Sequence, residues 1–497
     1  MVSTRRNRSR SPSPARKSPP APARKSPATK SPARKSTAPK AKSKSANKSA
    51  SAIDAGTIVA GCYTGLAAVL DGAAFSATVL LPIGMQSSFD VGIQHALVGY
   101  VLMQVVVTYL SGARAMVTGV SYEVLAPAAL LAKATKAYLA DEGEAAVLAT
   151  VLAGSALVSV AAAALFYLLS AFKISGEAIA ALLPPPLQAG LFAVIGWGIY
   201  GLAFEMLQLP PPVLPIAAED GGDWLATLAS PAAYTLWVPT HLLGVALWLA
   251  SKLTSHPALF PGFVVATVAL THAVRLATGT SLAESAEAGW LMKETEGRSL
   301  YDGLWTAASP SAVRWDALFR PEALNIIGGA VLFGPVVNTA LNLVLAGPVV
   351  GAKLEPPREL RAHAAGSLAA GAAGGFSAYL AVSNTAIHLK CGGTSRASCY
   401  AAAAVAALFV ALPQLFAVVG YVPTLVVAAI CVYIGIDFLY DNLVVAAIGG
   451  SRAAAAASYA VAAACVRLGM PAGAALGVAA FQAHAAWAKK TKKSKKA

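Results

Sequence analysis

Residues 371–396, GAAGGFSAYLAVSNTAIHLKCGGTSR, are the stretch that most constrains what this chain can fold into. The stretch lies among long apolar segments, but glycines at 374–375 interrupt it, and the helix opened by residues 383–385 is only about two turns long. A helix that begins inside a lipid bilayer leaves its first backbone N–H groups without partners, so it persists only where they face protein or a water-filled cavity. We expect these donors, with their partial positive charge, to hold a solute.

A second interrupted segment lies in the first half of the chain, at Thr118-Gly119-Val120-Ser121. Paired interruptions at corresponding positions of two halves are the best sequence indication of a binding site in a transporter. We therefore expect one solute site between helix starts at residues 120–123 and 383–385.

The composition is that of a membrane protein. Of 497 residues, 57% are hydrophobic and only 12% are charged, whereas soluble domains carry roughly 25% charged residues. The chain is therefore predicted to be all-α and polytopic, with its length used in membrane spans. The spacing of the five cysteines is not that of metal ligands. We therefore expect these cysteines to be small buried residues and not to form a metal site.

The net charge of +15 resides in residues 1–50, which hold fifteen Lys and Arg and no Asp or Glu. The rest of the chain has 23 basic and 23 acidic residues, and six of these basic residues are lysines at 489–497. Two basic ends predict that both termini are cytoplasmic, which requires an even number of spans. Vacuolar and plasma membranes are both compatible with this pattern.

Residues 1–51 are rich in Ser, Pro, Lys and Arg, and we expect them to be disordered. Three interpretations of this tail stay open: a solvated tail that sets topology, an anchor on anionic lipid, and nucleic-acid binding, the last being the least expected. Lipid anchoring would be released by phosphorylation at Ser-Pro sites, for which Ser13, Ser26 and Ser31 are the candidates.

Fourteen segments are predicted between residues 52 and 488, seven on each side of a long loop at 280–321. Seven spans in each half give the repeats 52–280 and 321–488 opposite orientations, which is a transporter architecture. The predicted segments are 56–80, 92–111, 115–132, 144–170, 185–207, 234–251, 257–279, 322–346, 358–375, 381–390, 397–419, 422–445, 453–468 and 470–488.

At its two interrupted segments the chain resembles the SulP sulfate-permease family, solute carrier family 26. The motifs that carry the resemblance are SGARAMVTGVSYEV at 111–124 and AVSNTAIHLKCGGTSR at 381–396. The resemblance covers about residues 52–488. It implies seven plus seven inverted repeats, core and gate domains, a substrate between the facing ends of the third and tenth helices, and homodimers.

The match is closer to a fungal-type branch of SulP-like proteins, through LDGAAFSATVLLP at 70–82 and Glu123-Val124-Leu125-Ala126-Pro127. Part of that branch is associated with storage of basic amino acids in vacuoles. Two departures matter: Asn384 stands where many anion exchangers carry Arg, and Val120 stands where the family has Pro. The STAS domain of the family is not expected after residue 488.

Asp71 in the first span and Glu123 after the first interruption are carboxylates in apolar surroundings. Each has two interpretations. Asp71 either bonds a nearby helix end or belongs to a substrate or proton site. Glu123 either complements the dipole of its own helix or binds a cationic group or proton. Together they would make the cavity negative.

The remaining candidates are small polar residues. Ser383, Asn384 and Thr385 are predicted both to cap the second half-helix and to bind solute. Asn338 and Asn342, one turn apart, either line the cavity or bond between helices. The predicted substrate-binding set is Asp71, Val120, Ser121, Glu123, Asn338, Asn342, Ser383, Asn384 and Thr385.

These features together predict a secondary-active transporter of one small polar solute. The resemblance implies an inorganic anion such as sulfate, whereas the acidic residues favour an amino acid with proton coupling through Glu123 or Asp71. No phosphate-binding loop, nucleophile elbow or spaced metal-ligand set is present, so we expect neither catalysis nor a cofactor. The alternative is a membrane tether whose basic tail binds anionic lipid or nucleic acid.

Overall fold

A computed structural model describes residues 54–174, 184–210, 224–254, 256, 259–292 and 297–494. The predicted tail at 1–51, with its candidate phosphorylation sites Ser13, Ser26 and Ser31, lies outside the described residues. So does the acidic loop at 211–223.

The described residues form helices joined by short loops, and two three-residue strands. The first half holds α1 (Ala55–Phe75), α2 (Phe89–Leu110), β1 (Thr118–Val120), α3 (Tyr122–Tyr138), α4 (Glu144–Ala171), α5 (Pro185–Met206), α6 (Trp224–Ala229), α7 (Pro231–Leu253), α8 (Leu259–Ala277) and α9 (Leu282–Glu287).

The second half holds α10 (Trp315–Leu318), α11 (Pro321–Val331), α12 (Val337–Val350), α13 (Pro356–Ala372), β2 (Ala378–Leu380), α14 (Val382–Lys390), α15 (Arg396–Ala411), α16 (Thr424–Leu439), α17 (Ala446–Gly449), α18 (Arg452–Leu468) and α19 (Met470–Ser494). Wider π-helical turns occur at Ser76–Leu80, Tyr301–Trp305, Leu332–Val336 and Tyr440–Val445, and tighter 3-10 turns at Leu81–Ile83, Gln86–Ser88 and Pro413–Tyr421.

Seven helices of the described part are long and apolar enough to cross a membrane, so the prediction of a polytopic all-α protein is confirmed. Each of the fourteen predicted segments overlaps a helix, but the count of fourteen spans stays a prediction. The seven qualifying helices are Ala55–Ile83, Gln86–Leu110, Glu144–Ala171, Pro185–Met206, Pro231–Leu253, Pro321–Ala340 and Thr424–Val445.

The prediction of one continuous segment at 397–419 is wrong. Helix α15 ends at Ala411, and the chain bends by 97° into the 3-10 turns of Pro413–Tyr421. Pro413 explains the break, because a proline disfavours the helical conformation of the residue before it, and Leu412 is outside the helical region (φ −118°, ψ 79°).

The helices pack in two groups. A larger bundle contains α1–α4 and α11–α15, and a smaller bundle contains α5, α7, α16 and α18. In the larger bundle the two halves interleave: α2 packs against α13 and α15, and α4 packs against α13. The half-helices lie inside the larger bundle, while α3 also contacts α5 of the smaller one.

The two halves are joined at β1 and β2, which pair antiparallel. Thr118 lies opposite Leu380, Gly119 opposite Tyr379, and Val120 opposite Ala378. Two further backbone bonds extend the pairing, from the Ser121 N–H to the Ser377 carbonyl (3.3 Å) and from the Ala381 N–H to the Val117 carbonyl (3.2 Å). This pairing satisfies the backbone groups of the interrupted segments, which lipid could not do.

Candidate functional site

Helices α3 and α14 begin one residue after the paired strands end. Helix α3 starts at Tyr122, within the predicted range 120–123, and α14 starts at Val382, one residue before the predicted range 383–385. The prediction that Ser383, Asn384 and Thr385 cap α14 is wrong, because the cap is Ala381 and these three residues lie inside the helix. Neither cap residue, Ser121 or Ala381, bonds a backbone N–H of its own helix through its side chain. Because β1 and β2 pair antiparallel, the two helix starts flank the same three-residue ribbon, one at each end.

The start of α3 is filled by Glu123. Its Oε1 accepts a hydrogen bond from the Tyr379 hydroxyl at 3.0 Å, and its Oε2 accepts a longer one from the Ser121 hydroxyl at 3.4 Å. Glu123 and Ser121 are both buried, so this start carries its own acidic group in a closed setting.

The start of α14 is more open and carries no acidic residue. Ser383 is exposed, Asn384 is half-buried, and Thr385 is buried. The amide of Asn384 lies beside Gly119 of β1, since a Cβ at that glycine would sit 3.2 Å from Asn384 Nδ2. The first N–H groups of this helix are therefore available to a small solute.

Two side chains hold β1 against the neighbouring helices. Gln104 of α2 accepts from the backbone and hydroxyl of Thr118 (2.7 and 3.0 Å) and donates to the Met116 carbonyl (3.0 Å). Thr385 accepts from the Val117 N–H at 3.0 Å, and its hydroxyl lies 2.8 Å from the Ala381 carbonyl. Thr385 therefore contributes to the framework of the site.

The two asparagines of α12 have different partners. Asn338 is buried and donates to the Phe333 carbonyl in the π-helical turn of its own span (3.0 Å). Asn342 reaches across to the Leu380 carbonyl of β2 (2.7 Å). Only Asn342 thus bonds between elements of the site, while Asn338, in the first turn of α12, bonds the π-helical turn that precedes this helix. Such turns are frequent at functional sites.

Asp71 lies on α1 and is partly buried. It interacts electrostatically with Tyr379, which also interacts with Glu123, and with Tyr100 of α2. Of the two predicted carboxylates, Glu123 is the one with a described hydrogen bond to Tyr379. Val120 is buried at the end of β1, where it contributes backbone and an apolar wall.

His388 packs between helices. Its Nδ1 lies 2.8 Å from the Thr64 hydroxyl, and its Nε2 lies 2.8 Å from the Ser398 hydroxyl. Because the Ser398 hydroxyl donates to the Ser395 carbonyl (2.7 Å), Nε2 carries the proton and Nδ1 accepts from Thr64. Both ring nitrogens have hydrogen-bond partners, and the ring ties α14 to α1 and α15.

Sequence reasoning missed several residues at this site. Tyr379 bonds Glu123, and Gln104 bonds Thr118 of β1. A polar residue inside an apolar span is the sequence signal that could have identified both. Buried hydroxyls without a hydrogen-bond partner are found at Tyr100, Thr339 and Ser377. Ser377 adjoins the site, since its carbonyl accepts from Ser121.

The arrangement can bind a small solute without a metal. Within the described ranges, no group of three or more His, Cys, Asp or Glu side chains could hold a metal ion. The site offers backbone N–H groups and small polar side chains at α14, and a carboxylate with a phenol at α3. These groups suit a polar molecule held by hydrogen bonds and helix dipoles.

The fold is that of membrane transporter domains of known structure. The transmembrane domain of BicA, a bicarbonate transporter from a cyanobacterium, is 16% identical, with a TM-score of 0.54 over 85% of this chain and 97% of that chain. SLC26A9 is 16% identical, with a TM-score of 0.53 over 83% of this chain and 64% of that chain. The murine Slc26a9 anion transporter in its inward-facing state is 16% identical, with a TM-score of 0.52 over 89% of this chain and 74% of that chain.

Residues 233–459 match the Sulfate permease family. This match and the shared fold confirm the resemblance to the SulP family, solute carrier family 26. No curated protein matches the sequence significantly.

Proposed function

We propose that this chain is a secondary-active transporter that binds one small polar solute between the starts of α3 and α14. The observation that carries the proposal is the antiparallel pairing of β1 with β2, which fixes both helix starts beside one another inside the larger bundle. Movement of this bundle against the smaller bundle would expose the solute to each side of the membrane in turn.

The open start of α14 supports a solute with an anionic group. Its unpaired N–H groups and the small side chains of Ser383 and Asn384 can donate to an oxyanion or carboxylate. The sulfate-permease match and the anion and bicarbonate transporters that share the fold support an inorganic anion. Asn384 in place of a basic residue weakens the attraction of a dianion such as sulfate.

Glu123 specifically favours a second candidate, a zwitterionic or basic amino acid. Such a solute would place its carboxylate at α14 and its ammonium group beside Glu123, where the Tyr379 hydroxyl would orient the side-chain carboxylate. Asp71 supports the same reading because it adds negative charge near Tyr379. Either carboxylate would then carry the coupling proton.

Uptake by the purified full-length chain in liposomes tests both candidates. Labelled sulfate, bicarbonate and arginine are compared with and without a pH gradient, first in the wild type and then in Glu123→Gln. An anion transporter keeps sulfate or bicarbonate uptake in this variant. Loss of arginine uptake with retained vesicle incorporation supports the amino-acid candidate, and absence of uptake of every solute argues against transport.

A tether is distinguished by removing residues 1–50. A transporter lacking this tail keeps its uptake rate, whereas a tether loses its binding to anionic vesicles or DNA.

We also propose that both termini face the cytoplasm and that the chain forms a homodimer in the membrane. Protease protection of the basic ends and cross-linking in native membranes test these two points.

A further inference from the structure

The backbone that leads into β1 is bonded by a buried carboxylate from the other half of the chain. Glu359, near the start of α13, is fully buried. Its Oε2 accepts from the Ser111 hydroxyl (2.7 Å) and its Oε1 from the Gly112 N–H (2.8 Å). The neighbouring Arg358 and Arg396 donate to carbonyls at the end of α2, so this turn is bonded on several sides.

The backbone that leads into β2 is bonded in the same manner by α2. His95, near the start of α2, is fully buried, and its Nδ1 donates to the Gly374 carbonyl (2.5 Å). The backbone carbonyl of His95 accepts from the Phe376 N–H (2.9 Å). Gly99, one turn further on, lets the Phe376 backbone lie directly against α2, because a Cβ there would overlap it.

These two contacts are reciprocal. Helices α2 and α13 pack side by side, and the start of each bonds the chain just beyond the end of the other. Glu359 therefore bonds the turn before the first half-helix, and His95 bonds the turn before the second. The inverted repeat explains the correspondence, since α2 and α13 are the second and ninth of the predicted segments.

We propose that Glu359 and His95 are positioning residues, each of which fixes one of the two half-helix starts at the solute site. This inference rests on the proposed function, because it assigns both residues to the geometry of that same site. Neither residue contacts the site directly: Glu359 acts through residues 111–118, and His95 through residues 374–377.

A purely space-filling role does not require these groups. A buried carboxylate costs free energy in a membrane interior unless it is fully bonded, and a well-packed apolar residue is often equally stable. Unlike apolar packing, the hydrogen bonds of Glu359 and His95 require a particular position and orientation of the backbone groups they join. They fix the register of residues 111–120, and with it the approach of Glu123 to Tyr379, which depends on distances near 3 Å.

Hydrogen–deuterium exchange on the full-length chain tests the inference without any solute. The variants are Glu359→Gln, Glu359→Ala, Ser111→Ala, His95→Asn and His95→Ala. Glu322→Gln, which changes an exposed carboxylate on α11 (side chain 61% exposed), is the matched control. Asn keeps a donor near the position of Nδ1, and Gln keeps an acceptor for Gly112.

We expect Glu359→Ala to raise exchange about tenfold in residues 111–116 and to leave 373–376 unchanged, and His95→Ala to do the reverse; these two turns lie outside the hydrogen bonds that join β1 to β2. The Gln, Asn and Ser111 variants should show smaller changes in the same segment, and they decide the matter if an alanine variant does not fold. Equal changes in both segments, or none in either, would overturn the inference.

Uptake of whichever labelled solute the wild type carries, sulfate or arginine, gives the second readout. Mispositioned helix starts should raise KM about tenfold in Glu359→Gln with little change in maximal rate, whereas a loss of folded protein lowers only the maximal rate. A lowered maximal rate at constant KM contradicts positioning. If the wild type carries neither solute, the proposed function fails, and the exchange experiment alone still decides the roles of Glu359 and His95.

Discussion

The two half-helix starts share one backbone plan but differ in charge and exposure. Helix α3 begins with a buried carboxylate that is bonded by Tyr379 and Ser121. Helix α14 begins with small polar residues, of which Ser383 is exposed. An acidic side chain therefore lies at the positive end of the first helix dipole, and none of residues 382–385 at the start of the second is acidic. In the proposed site, the two helix starts would therefore meet different parts of the solute.

The helices also differ in length and in how their far portions are held. Helix α3 has 17 residues and α14 has 9. Lys133 of α3 forms an ion pair with Glu205 of α5 (2.7 Å), which links the two bundles. His388 of α14 bonds only within the larger bundle, to α1 and α15. The first half-helix is thus the one that contacts the moving interface of the proposed mechanism.

Thr385→Val should have the largest effect on the α14 side. It removes the acceptor of the Val117 N–H, and an unsatisfied buried polar group costs about 1–3 kcal/mol. We expect uptake to fall about 100-fold, because β1 is released from α14. Thr278→Val, which removes an exposed hydroxyl bonded within α8, is the control and should be silent. Normal uptake in Thr385→Val would show that this bond does not hold the site together.

Asn384→Arg should make the open start more attractive to dianions. A charge-assisted hydrogen bond contributes about 1.5–3 kcal/mol, and about 1.4 kcal/mol corresponds to tenfold. We expect the KM for sulfate to fall about tenfold and arginine uptake to be lost, as measured in liposomes. Ser311→Arg adds the same charge to an exposed loop and should change neither. An unchanged KM for both solutes would argue that Asn384 does not face the solute.

Tyr379→Phe should weaken the closed start of α3 by one hydrogen bond. A net contribution of about 1 kcal/mol corresponds to roughly fivefold in affinity. We expect the KM of a zwitterionic solute to rise by this factor, because Glu123 is less firmly oriented. Tyr459→Phe, which removes an exposed hydroxyl bonded to Leu443, is the matched control. Equal effects of the two variants would contradict a specific role of Tyr379.

Breaking the ion pair between Lys133 of α3 and Glu205 of α5 should give the smallest of these effects. The effect should also depend on which of the two partners is replaced. The Glu205 side chain is 12% exposed and that of Lys133 is 40% exposed. Lys133→Met leaves a mostly buried charge unpaired, whereas Glu205→Gln leaves a lysine that water can reach. We expect Lys133→Met to lower the thermal midpoint more than Glu205→Gln, which costs about 1 kcal/mol or less. The reverse order would show that Glu205 is well hydrated.

The sequence predicted the helix starts because their signals are local. Gly374-Gly375 and the run Ser383-Asn384-Thr385 interrupt apolar sequence. Such helix-breaking residues can be recognised without knowing which residues they contact in the fold. The bend at Pro413 was missed although the rule for the residue before a proline was sufficient to predict it. The pairing of β1 with β2 could not be predicted from three-residue strands, which have no measurable periodicity.

The roles of the buried polar residues were harder to predict, because they depend on contacts between the halves. Glu359 lies only three residues into α13, and a glutamate there also fits a simple helix-terminus charge. Its bond to Ser111 crosses about 250 positions of sequence. The roles of Gln104 and Tyr379 likewise depend on their hydrogen bonds to Thr118 and Glu123, and the linear sequence does not identify these partners.

The pairing of Thr118 with Leu380 has a consequence for biosynthesis. Roughly 260 residues separate the two strands, so at about 5–20 residues per second β1 waits some tens of seconds for its partner to leave the ribosome. During that interval the first half-helix is in the bilayer with an unpaired backbone and a lone carboxylate, a state that lipid disfavours. We therefore expect truncated chains that end before β2 to be degraded quickly.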